Sequence, residues 1–287
     1  MDGGDVNVTR WSYFRRELPS RFTVYALLLG VAVCLAIAAL AQSPTIVLVG
    51  PAVVAAILVV STWQSAGAEA ATDFFRTLAP ELGLEYVAGG ALPPLTPLLS
   101  AGDSQELDHV MEGPLFGAQG GPLCTLGHYE FKTIQPSGEG GQRTIAHPFT
   151  IAAVEIDEAL PVFHGVYLRR RPRIHIPGFL WDDWLARAHA EEVDLESSGF
   201  EELYELRAAH DQDRMVLREL FSPSFIVWLT EHPLRPGFEC KAGELVVFIP
   251  EHEGNADRLR LFHEAAREVG RRVIAGVDAA RSASPAA

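Results

Sequence analysis

Lysine is nearly missing from this sequence. Lys132 and Lys241 are the only two, so arginine carries almost all the positive charge, and acidic residues exceed basic ones for a formal net charge of -14. That balance argues against nucleic acid as a partner, because phosphate binding needs clustered positive charge. Cysteine is also scarce. Cys34, Cys124 and Cys240 are widely separated and form no CxxC pair, so neither a zinc knuckle nor a thioredoxin-like redox site is indicated. A reduced compartment is the simpler reading, with a Cys124–Cys240 disulfide as the alternative. Nucleotide and hydrolase motifs are lacking as well. The glycine-rich segments at 117–121 and 138–141 have no GK[ST] ending, and Ser197-Ser198-Gly199 does not make a G-x-S-x-G elbow. Internal repeats are absent.

What is present in quantity is uncharged apolar sequence near the N-terminus. From Phe22 to Trp63 two runs of about twenty residues each, near 22–41 and 45–63, contain no charge and are separated by Gln42-Ser43-Pro44. At roughly 1.5 Å per residue, each suffices to cross about 30 Å of hydrocarbon as a helix. Arg10, Arg15, Arg16 and Arg21 precede the first run, whereas the connection is uncharged. Positive residues stay on the cytoplasmic side, so residues 1–21 are expected inside and a hairpin over 22–64 returns the chain inside as well. The expected location is therefore the inner membrane of a bacterium, two-pass, with the N-terminus and body cytoplasmic and the lipid bilayer as a partner. Ala39-Leu40-Ala41 imitates a cleavage site, but the apolar run is too long for a signal peptide and a second run follows at once. Neither run has an ionisable side chain, which favours a passive anchor over an ion path.

Beyond Trp63 the body, residues 65–276, has ordinary globular composition. Ala71, Phe74, Phe75, Leu78 and Leu82 recur at helical spacing. Residues 88–101, rich in Gly and Pro, read as a connector. Segments 123–134, 144–156 and 162–169 read as strands of an antiparallel meander, with 136–141 as a hairpin loop. Asp211 is the expected cap of a helix through Met215 to Leu220, and Ser222-Pro223 opens the next. Glu244 to Ile249 reads as a strand. Asn255 opens a last helix expected to stop at Gly276, leaving 277–287 as a disordered tail. The fold class is thus α+β: a two-helix transmembrane hairpin, then a largely antiparallel sheet with packed helices.

Chemistry is hard to find in this body. Ten histidines are present, yet His263-Glu264 lacks a second histidine one turn later, and His232 and His252 lack ligand spacing. His128, His147 and His164 fall on neighbouring expected strands and form the best metal grouping, though a surface or core role is favoured for each. No catalytic, cofactor or metal residue is assigned. The run Arg169-Arg170-Arg171 with Arg173 is the one marked charge cluster. Contact with anionic lipid headgroups is its functional reading, and pairing with the domain's surplus carboxylates is the preferred one.

Leu195-Glu196-Ser197-Ser198-Gly199-Phe200, Tyr204-Glu205-Leu206, Asp211, and Leu220-Phe221-Ser222-Pro223-Ser224-Phe225 with Leu229 together resemble the bacterial membrane-anchored family called domain of unknown function 3137. Phe163-His164-Gly165-Val166 and residues 246–250 are similar to further strands of that family. Tyr204 in place of phenylalanine, Met215 and Val216 in place of a small residue, and the 169–173 arginines depart from its pattern. The resemblance implies architecture and anchoring, and a turn followed by a strand over 200–208. It supplies no catalytic residues. The expectation that emerges is a membrane-anchored, non-enzymatic interaction or accessory module with an unidentified protein partner. The alternatives are a tethered, hydrolase-like enzyme gathering His128, His147, His164, Glu155 and Asp157, or an anionic-lipid-binding domain.

Overall fold

A computed structural model of the chain describes residues 29, 31–33, 44–136, 141–171, 185 and 188–283. The chain divides into two compact units, residues 1–78 with 254–256 and residues 79–253 with 257–287.

The second apolar run, which lies in the first unit, does not end near Trp63. It continues without a break into the amphipathic segment, so that α1 spans Pro44–Leu82. The physical reason lies at the expected junction. Ser65, Ala66, Gly67 and Ala68 contain no proline, and a single glycine costs a helix only about 1 kcal/mol. Of the first run only residues 29 and 31–33 are described, and they are helical. A two-helix hairpin is therefore not shown, and Ala39-Leu40-Ala41 lies outside the described residues.

The second unit is built on one nine-stranded sheet in which every paired strand is antiparallel, in the order β1-β2-β3-β4-β9-β8-β5-β7-β6. Its strands are β1 Glu85–Gly90, β2 Ser104–Pro114, β3 Leu123–Pro136, β4 Gln142–Glu155, β5 Val166–Arg170, β6 Ala190–Glu192, β7 Tyr204–Ala209, β8 Gly237–Lys241 and β9 Glu244–Pro250. The expected meander holds for β3 and β4, which pair across a short connection, and the unexpected β2 extends it on the other side of β3. It does not continue into β5, because β9 occupies the place beside β4. β1, β2, β6 and β8 fall where sequence periodicity pointed to no strand. β1 is an exposed edge rich in glycine, so it has no half-buried alternation to detect.

Strand alternation divides the side chains between two faces. On one, Tyr129, Phe131, Phe149, Val246 and Phe248 pack with Leu98, Leu99 and Leu185. The irregular segment carrying Leu98 is pinned by Glu239 of β8, whose carboxylate accepts from the Leu98 N–H at 2.8 Å, and by the Tyr129 hydroxyl, which donates to the Leu98 carbonyl at 3.1 Å.

The other face carries the helices α2 Ser198–Glu201, α3 Arg214–Leu220, α4 Pro223–Glu231 and α5 Ala256–Ala283. Phe221 and Phe225 meet Phe238 of β8 at 5.9 and 6.3 Å. α4 starts as expected, with Ser222 as cap and Pro223 in the first turn. The cap of α3 is Asp213 rather than Asp211, since its carboxylate accepts from the Met215 N–H at 2.7 Å. Asp211 instead faces His164 at 3.1 Å. α5 does not stop at Gly276. It runs on to Ala283 with Val277 buried, so residues 277–283 are helix and not a disordered tail. Gly276 is there for space, because a Cβ on it would stand 3.2 Å from Phe163.

Candidate functional site

Two features of the described residues stand out against ordinary packing. The first is the apolar part of α1. Val49, Val53, Ile57 and Val60, one side of the helix at 3–4 residue spacing, are 52%, 49%, 61% and 55% exposed, and Val59 on another side is 48% exposed. Uncharged sequence extends through residue 68, about 37 Å of helix from Pro44. Among the described residues α1 is the one helix long and apolar enough to cross a membrane.

The second is a histidine cluster at a kink in the sheet. The β2–β3 register shifts between Asp108 and Met111, and at this bulge His109 adopts φ 52°, a left-handed conformation that a residue with a Cβ rarely takes. His109 lies edge-on to His128 at 5.8 Å, and His128 stacks on His252 at 4.5 Å with the rings 3° from parallel. Ring nitrogens of His128 and His252 bond the carbonyls of Glu253 and Tyr129 at 2.9 and 3.2 Å. Burial, then the neighbouring His252, pushes the His128 pKa down to about 3, and burial lowers that of His109. Both shifts favour the neutral imidazole at His109 and His128. Sequence reasoning missed the cluster because His109, His128 and His252 come from three separate elements, and the bulge that turns His109 toward the others has no glycine to announce it.

The histidines grouped in the sequence are not brought together. On β3 and β4, His128 stands opposite Thr150 and Phe131 opposite His147. An odd offset of three residues sets His128 and His147 on opposite faces of the sheet. His147 bonds Thr133 at 2.8 Å and stacks on Phe131, while His164 pairs with Asp211. Glu155 and Asp157 line a cleft elsewhere. Among the described residues no three or more His, Cys, Asp or Glu side chains converge in a way that would hold a metal ion.

The arginine run is divided by the alternation of β5. Arg169 reaches Glu205 of β7 at 2.8 Å, and Arg207 holds the other oxygen of that carboxylate at 2.7 Å. Burial works to raise the Glu205 pKa, but hydrogen bonds and charge from the two arginines overcome it and hold the carboxyl below its usual range. Arg171 donates to the carbonyls of Glu201 and Tyr204 at 2.7 and 3.0 Å and pairs with Glu192. Arg170 is exposed. Arg173 lies outside the described residues. Cys124 and Cys240 are free and buried, and burial pushes both thiols up to about 12, which leaves them unreactive.

No family model and no curated protein matches the chain. Among solved structures it is similar to the mycobacterial trehalose monomycolate transport factor A, TtfA, at 11% identity over 70% of this chain and 95% of that one, with a TM-score of 0.43. A likeness at that level carries no argument about function.

Proposed function

We propose that this chain is a membrane-anchored, non-enzymatic interaction or accessory module of a bacterial inner membrane, with an architecture of the domain of unknown function 3137 type. The observation that carries the reading is the exposed apolar side of α1. Four large aliphatic side chains about half exposed on a charge-free stretch of helix are unfavourable in water, at about 25 cal/mol per Å² of apolar surface, and are at home in hydrocarbon. In the finer form of the reading, the first run crosses too, giving a two-pass hairpin with both ends cytoplasmic. A protein partner is engaged by the acidic body.

The lipid-headgroup reading of Arg169, Arg170, Arg171 and Arg173 finds less support, since Arg169 and Arg171 are already occupied by carboxylates and carbonyls. The test is fractionation of the full chain. Wild type is expected to stay with membranes after alkaline extraction, and a Val53→Glu, Ile57→Glu double variant to shift to the extract, since charges at mid-helix cost about 2–3 kcal/mol each. Release of the wild type by alkali would defeat the reading.

A further inference from the structure

A groove of about 380 Å³ opens between the C-terminal end of α4 and the middle of α5. Trp228 and His232 line it from α4 and its cap, and Leu261, Ala265 and Arg267 line it from α5. Grooves between helices are common. The polar atoms of this one set it apart.

His232 is 8% exposed, so more than nine-tenths of it is buried. Its Nδ1 accepts from the Leu234 N–H at 3.3 Å, which leaves a proton on Nε2. That Nε2–H meets no protein acceptor among the described residues, yet it is not sealed from solvent. Because His232 lines the groove, the accessible donor of a buried ring opens there. Arg267 is partly buried, and among the described residues its N–H donors form neither a hydrogen bond nor an ion pair. Its Nε is closed off without a partner, while its terminal nitrogens stay accessible. The carboxylates nearby do not answer it. Glu268 is held by Arg271 and Arg272, and Glu264, which also lines the groove, is exposed and bonds neither Arg267 nor His232.

A half-buried cation without an acceptor is costly, and the partner it lacks is an anion. Arg267 offers one uncompensated charge. Burial holds His232 toward its neutral form against the pull of Glu264, so it adds a donor more than a charge. One charge suits a monoanion, and a planar guanidinium matches the two oxygens of a carboxylate. Trp228, whose ring stands 4.8 Å from that of His232, and Leu261 add an apolar wall that calls for a hydrophobic body on the acid.

We propose that this groove binds a small amphiphilic carboxylate, its acid group accepting from Arg267 and from Nε2 of His232, its apolar body against Trp228 and Leu261. The inference goes beyond the anchoring reading and does not depend on it.

The experiment is equilibrium dialysis of the full chain in phosphatidylcholine nanodiscs, with empty discs as background. The probe is 2-naphthylacetate, and 2-naphthylacetamide is its uncharged control. Saturable binding of the acid is expected, with the amide about tenfold weaker or more, since the charge-assisted bonds are lost. Arg267→Gln is expected to weaken the acid about tenfold or more. His232→Phe keeps a ring against Trp228 and removes the donor, for an expected loss of about threefold or more. Arg218→Gln removes the same charge from an exposed position on α3 and is expected to bind as wild type. Inorganic phosphate at equal concentration is expected not to displace the probe. No saturable binding by wild type, equal binding of the amide, or displacement by phosphate would each overturn the inference. So would full affinity in either folded site variant, or equal loss in Arg218→Gln. If His232→Phe does not fold, Arg267→Gln decides alone, because its side chain bonds nothing in the fold. Failure here with the chain still fixed in membranes would remove the site and leave the anchoring intact.

Discussion

Glu244 sets the direction of one pH response. Its carboxyl is pushed up from 4.5 to about 7, first by burial and then by Glu155. The folded protein therefore holds a proton that the unfolded chain releases above pH 4.5, and stability contributed below that pH is lost as pH rises through 7. Glu244→Gln is expected to raise stability at pH 8 by about 2 kcal/mol and to change little at pH 4, as read by urea unfolding at the two pH values. The histidines act in the opposite sense. His128 and His263 are pushed down to about 3 and about 4, chiefly by burial, so the native state resists protonation that the unfolded chain accepts from pH 6.5 downward. Their contribution is present above pH 6.5 and lost toward pH 3–4. Replacing His128 with Asn is expected to flatten the acid limb of a stability-against-pH curve.

At the scale of elements, β5 and β7 are joined by Arg169, Glu205 and Arg207, a triad legible in the sequence only as a run of arginines. With Glu205 buried, Arg169→Ala leaves a half-compensated carboxylate and is expected to cost about 2–4 kcal/mol in chemical denaturation, whereas Arg170→Ala is expected to cost less than about 0.5 kcal/mol. β8 has its own constraint at Gly237. A Cβ there would stand 2.7 Å from the Leu168 carbonyl and 2.6 Å from the Phe248 ring, so Gly237→Ala is expected to destabilise by at least about 2 kcal/mol. Helix starts were readable where a cap and a proline coincide, as at Ser222-Pro223. The cap of α3 was misplaced by two residues because Asp211 and Asp213 are both good caps, and only the partner His164 decides between them. The end of α5 was misread because Gly276 carries the same letter whether it terminates a helix or makes room for Phe163.

At the scale of the molecule, the prediction concerns sidedness. If both termini of a hairpin are inside, trypsin is expected to digest the body in inside-out vesicles and to leave it intact in right-side-out ones. Cleavage only from the periplasmic side would reverse the topology. The α+β class and the antiparallel character were legible, because short Gly- and Pro-rich connections between apolar stretches leave no room for crossover helices. The strand order was not. β9 inserts beside β4 and displaces β5, a pairing between segments about one hundred residues apart that no local pattern encodes.

Taken alone, the sequence determined what depends on short-range regularity: the uncharged helix of α1, the strands β3, β4 and β9, the Ser222 cap, and an acidic surface unsuited to nucleic acid. Periodicity and charge are local quantities and survive without a fold. Tertiary structure decided which residues meet. It parted His128 from His147 by the two-residue alternation of a strand, gathered His109, His128 and His252 around a bulge, filled the hands of Arg169 and Arg171, and set Glu244 against Glu155. Each of those outcomes turns on register, and register is fixed by the packing of the whole sheet.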